Sequence, residues 1–62
     1  MVDMGALVHS VRRFGLEGPM YEVIGIASRQ DAEEPRVRIV VVESGEELDY
    51  PVTDLLADPV EG

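Results

Sequence analysis

Four carboxylates, Glu43, Glu46, Glu47 and Asp49, fall within the nine residues ESGEELDYP, directly after the most apolar run of the chain, IVVV at 39–42. Carboxylates at this density support three kinds of chemistry: proton transfer, coordination of a hard cation, or neutralisation of a basic surface. Proton transfer by paired carboxylates needs a pocket, which a chain of 62 residues rarely encloses. A calcium loop needs oxygens at fixed alternating positions, a turn glycine and a terminal bidentate glutamate. Neither EELD nor the second acidic stretch, DAEE with Asp31, Glu33 and Glu34, has that spacing. His9 is the single histidine and there is no cysteine, so a zinc-type ligand set is not available. Ser10, Ser28 and Ser44 have no adjacent base, and GLEG lacks the lysine and spacing of a phosphate loop. The chain reads as non-enzymatic, with no catalytic residue, metal or organic cofactor.

The third chemistry is left, and the charge distribution favours it. Thirteen acidic residues face five arginines, with no lysine. Residues 1–38 hold six acids and five arginines, a net of −1, whereas residues 39–62 hold seven acids and no base, a net of −7. Such a field repels nucleic acid and anionic membrane and attracts basic protein surfaces. The plainer alternative is that negative charge only keeps a small domain soluble.

Size limits what can present these groups. The chain is expected to form one small domain over 1–62, burying about 60% of the surface exposed when unfolded. No disulfide can staple it, and no apolar run approaches the roughly 20 residues that span a bilayer. MVDMGALVHSV lacks the basic start and cleavage site of a signal peptide, so the cytoplasm of a bacterial host cell is the expected compartment.

Leu7, Val11 and Phe14 recur at helical spacing, with Val8 widening the stripe, which predicts a helix over about 4–14. Asp3 would be its N-cap, Arg12 and Arg13 would suit its negative end, and Gly15 would terminate it. His9 would lie on the solvated face opposite Leu7 and Val11. MYEVIGIA and RVRIVVVE read as strands separated by the polar loop SRQDAEEP. Ser44-Gly45 fits a two-residue hairpin turn. Pairing Glu43 with Glu46 then sets Val41 opposite Leu48 and Ile39 opposite Tyr50. One face becomes Val37, Ile39, Val41, Leu48 and Tyr50, and the other Arg38, Val40, Val42, Glu47 and Asp49. A slip by one residue would mix the two sets. Pro51 should end the strand, Thr53 should cap a helical turn over DLLAD, and PVEG should fray.

The expected fold class is therefore α+β: an N-terminal helix packed on a three-stranded antiparallel sheet, with a short C-terminal helical turn. The carboxylates stand beside the core strand because they occupy the outward face of its hairpin partner. Ile24, Ile26, Val40 and Val42 would form an apolar patch on that outer face, rimmed by Glu22, Glu47, Asp49 and Arg38. The preferred expectation is that Leu55 and Leu56 of the C-terminal helix cover it; the other is that it serves dimerisation or partner binding.

The stretch GPMYEVIGIA, continued by RVRIVVVESGEELDYPVTDLLADP, resembles small bacterial and mobile-element proteins grouped as families of unknown function. In size, absence of lysine and cysteine, and acidic C-terminal half, the chain is also similar to phage-encoded anti-CRISPR proteins. Several of those inhibitors block target DNA by presenting a negative surface to a type I surveillance complex. The resemblance implies a non-enzymatic inhibitor acting as a DNA mimic, and no individual residue is carried over from it. The residues themselves point to Glu43, Glu46, Glu47 and Asp49, continued by Asp54 and Asp58, as a surface for a basic nucleic-acid-handling partner, a CRISPR surveillance complex being one candidate. Nucleic acid and membrane are not expected as direct partners, and the chain would be a monomer or weak dimer. An antitoxin or immunity protein that neutralises a basic toxin, and a structural dimerisation module, are the alternatives.

Overall fold

The computed structural model describes residues 4–28 and 33–61. Asp3, expected to cap a helix, Asp31 of the DAEE stretch and the terminal Gly62 lie outside them. The chain runs from a 3-10 turn, Met4–Leu7, into β1 (Val11–Arg13), β2 (Met20–Ile26), β3 (Arg36–Val41) and β4 (Glu47–Pro51), then α1 (Val52–Ala57) and β5 (Val60–Glu61). The strands form one sheet in the order β4-β3-β2-β1-β5, and every neighbouring pair is antiparallel. β4 and β5 are opposite edges of that sheet. The chain between them must cross a face, and α1 is the crossing. It brings Val52 and Leu55 onto Tyr21 and Val23 of β2 and Val37 and Ile39 of β3, and these six residues are the buried core. Leu7, Phe14, Leu48 and Tyr50 pack around them.

The expected N-terminal helix on a three-stranded sheet is corrected: the described residues form five strands and a single α-helix near the C-terminus. Helical periodicity at residues 7, 11 and 14 is outweighed by backbone pairing. An isolated helix of about eleven residues is marginal in water, and Gly5, Val8 and Val11 are weak helix formers. The 3-10 turn closes with the Ser10 amide and hydroxyl both donating to the Leu7 carbonyl, at 3.1 and 2.6 Å. His9 takes φ 76°, and the chain turns onto β2: the His9 amide donates to Val23 O at 2.7 Å and the Val23 amide to Ser10 O at 3.0 Å. This pairing removes an open edge from β2. Leu7 and Phe14 still reach the core, from the turn and from the end of β1, whereas Val11 pairs in register with Glu22.

The β3–β4 hairpin is also re-registered. Ile39 lies opposite Leu48, Val37 opposite Tyr50 and Val40 opposite Glu47. That is two residues from the expected pairing. Because side chains alternate with period two, a shift of two leaves each residue on its expected face. The turn is longer than the two-residue turn expected at Ser44-Gly45: the Gly45 amide donates to Val41 O at 2.7 Å and the Val41 amide to Glu46 O at 2.8 Å. Gly45 holds φ 75°, a conformation that costs a residue with a Cβ. At the other sharp turn Gly18 approaches Phe14 so closely that a Cβ would stand 2.1 Å from the Phe14 carbonyl oxygen.

Pro51 closes β4, where an edge strand tolerates its missing donor. α1 starts at Val52 with Pro51 as N-cap and no side-chain cap, so Thr53 lies inside the helix rather than at its cap. The segment expected to fray forms β5. Arg12 faces Val60, Val11 faces Glu61, and the Arg13 amide donates to Pro59 O at 3.1 Å.

Candidate binding surface

The six acidic residues that the sequence singles out divide into four groups with different surroundings. Glu43 and Glu46 stand exposed on the β3–β4 turn and make no ion pair among the described residues. Glu47 follows at the start of β4. Glu47 and Asp49 lie two apart on β4, so their side chains point to the same outer face. Both are met by one cation: the Arg38 guanidinium lies 2.7 Å from Asp49 Oδ1 and 3.7 Å from Glu47 Oε1. Arg38 is directly opposite Asp49 in the ladder, so the ion pair follows from the register. The charged row of β4 is thus partly neutralised by its own sheet, and the hairpin turn carries the uncompensated charge.

Asp54 is exposed on the first turn of α1, beyond the far end of β4. At about 3.3 Å per residue the strand separates it from the turn by roughly 15 Å. Asp58 is directed into the protein. Its Oδ2 accepts hydrogen bonds from Tyr21 Oη and Tyr50 Oη, each at 2.8 Å, and its Oδ1 accepts from the Gly15 amide at 3.3 Å. Both hydroxyls project from an aromatic cluster in which Phe14 and Tyr21 have ring centroids 4.4 Å apart, with Tyr50 at 5.3–5.4 Å from each. Beside them Arg12 donates from Nη1 to the carbonyls of Leu55 and Asp58, at 3.2 and 3.1 Å, capping the last turn of α1. The arginine expected to serve the negative end of an N-terminal helix thus serves that of α1.

Burial opposes ionisation of Asp58. The two tyrosine hydroxyls, the Gly15 amide and the Arg12 charge outweigh it, and the carboxyl is held below its ordinary value. Burial, followed by the hydrogen bond to Asp58, pushes the Tyr50 hydroxyl up to about 12 and raises Tyr21 further. This cluster fastens the end of α1 to β2 and β4. Its chemistry is structural, and Asp58 stands apart from the exposed acids.

The outer face carries what α1 leaves uncovered. The expectation that Leu55 and Leu56 would cover it is corrected: Leu55 is fully buried on the opposite face and Leu56 is 48% exposed. The ladder sets Glu61, Val11, Glu22, Val40 and Glu47 side by side, one residue from each strand. Val42, whose amide donates to Met20 O, extends the face beside Met20. Ile26 pairs with Val37 after a bulge between Val23 and Gly25, so it does not join the Val40 side as expected. Glu22 faces His9 Nδ1 at 3.6 Å, and Glu61 Oε1 accepts from Arg13 Nε at 2.6 Å. Glu61 escapes sequence reasoning because the two-residue β5 carries no periodic signal of its own, and Val11 reads from its spacing as part of a helical stripe rather than a strand.

No cavity opens among the described residues, and no three of their His, Asp or Glu side chains converge as metal ligands would. No helix among them is long and apolar enough to cross a membrane. A search of the curated proteins finds no match to the chain. Residues 2–62 match the family described as "Family of unknown function (DUF5397)", and the chain belongs to that family.

Proposed function

We propose that this chain is a non-catalytic docking module that seats the β3–β4 hairpin end on a basic surface of a nucleic-acid-handling protein. The observation that carries this reading is the pair Glu43 and Glu46, exposed on a hydrogen-bonded turn without an ion-pair partner among the described residues. They stand in the last twenty-four residues, 39–62, which hold no basic residue at all. Proteins that grip nucleic acid keep lysine and arginine grooves matched to phosphate, and most non-specific affinity comes from that electrostatic term. A rigid acidic hairpin occupies such a groove without chemistry. A phage inhibitor of a CRISPR surveillance complex in the bacterial cytoplasm is the particular form of this function that the chain's size and charge favour.

The test is affinity capture from host lysate at two salt concentrations, comparing the natural chain with Glu43→Gln, Glu46→Gln. These positions lie outside the Arg38 ion pairs, so the exchange leaves the hairpin intact. Retained basic proteins are expected to elute between 0.1 and 1 M salt, as the Debye length falls from about 10 to about 3 Å. The variant should lose them. If both forms retain the same proteins, or neither retains any, the acidic turn is a solubility device and the proposal fails. A toxin-like partner in the eluate would replace the CRISPR form with an antitoxin one.

A further inference from the structure

We draw no further inference here: the strongest candidate, the open sheet face around Met20, Val40 and Val42, sets its carboxylates against cations of the same face, Glu47 against Arg38, Glu22 against His9 and Glu61 against Arg13, and nothing in the structure shows what covers it.

Discussion

Asp58 shows how one carboxylate is withdrawn from the exposed acidic surface into a half-buried hydrogen-bonded cluster. Hydroxyls from β2 and β4 and an amide from the turn after β1 converge on it, so a residue just past α1 ties three parts of the chain. Its lowered value means that its contribution is complete above the ordinary carboxylate range and fades as pH falls through the folded value. The tyrosines act in the opposite sense. An acid whose value is raised on folding stabilises fully below its unfolded value, near 10, and that contribution is lost as pH rises toward the folded value, which for Tyr50 is about 12. Tyrosinate absorbance in the natural chain should therefore rise late, well above pH 10, together with loss of the folded signal. Asp58→Asn should bring the rise back toward pH 10 and lower stability by about 1–3 kcal/mol. A normal tyrosine titration in the folded natural chain would refute this account of the cluster.

At the scale of the element, α1 is short and lacks a side-chain cap, so tertiary burial rather than intrinsic helicity holds it. Its two adjacent leucines provide a direct check on which face it covers. Leu55 is fully buried with Tyr21 and Ile39, whereas Leu56 is 48% exposed. Leu55→Ala should cost about 2–5 kcal/mol, in the range of core truncations, and Leu56→Ala less than about 1. Equal losses in urea unfolding would mean that α1 lies differently on the sheet.

For the whole molecule, net charge and size act together. A chain of 62 residues with net charge −8 carries self-repulsion against a core of six buried side chains among the described residues. Arg38 and Arg13 relieve part of that repulsion on the outer face, through Glu47, Asp49 and Glu61. The uncompensated part should be screened by salt. The melting temperature should rise by several degrees between 0.01 and 0.3 M sodium chloride, as the Debye length shortens from about 30 Å to less than 8 Å. A falling melting temperature over that range would show that the internal ion pairs outweigh the repulsion.

The faces of the β3–β4 hairpin were legible in the sequence, because the alternation in RVRI and ELDY permits only one arrangement with a buried side, which the run IVVV then continues. The pairing itself was legible only modulo two, since a two-residue slip preserves that alternation; the turn hydrogen bonds around Gly45 choose between the alternatives. The exposed acids at Glu43 and Glu46 were equally legible, as charges flanking a turn glycine stay in water. Tertiary structure alone decided residues 4–14, where an apolar spacing suited to a helix is also met by a 3-10 turn followed by a strand. Pairing with β2 on one side and β5 on the other satisfies backbone groups that a marginal helix would have had to satisfy alone. It likewise decided the roles of Arg12 and Asp58, which reach Leu55, Tyr21 and Gly15 across more than thirty residues of sequence, Tyr50 being the one near partner of Asp58. Local pattern records which side of a strand is apolar, but contacts across that distance exist only once α1 has carried the chain from one edge of the sheet to the other.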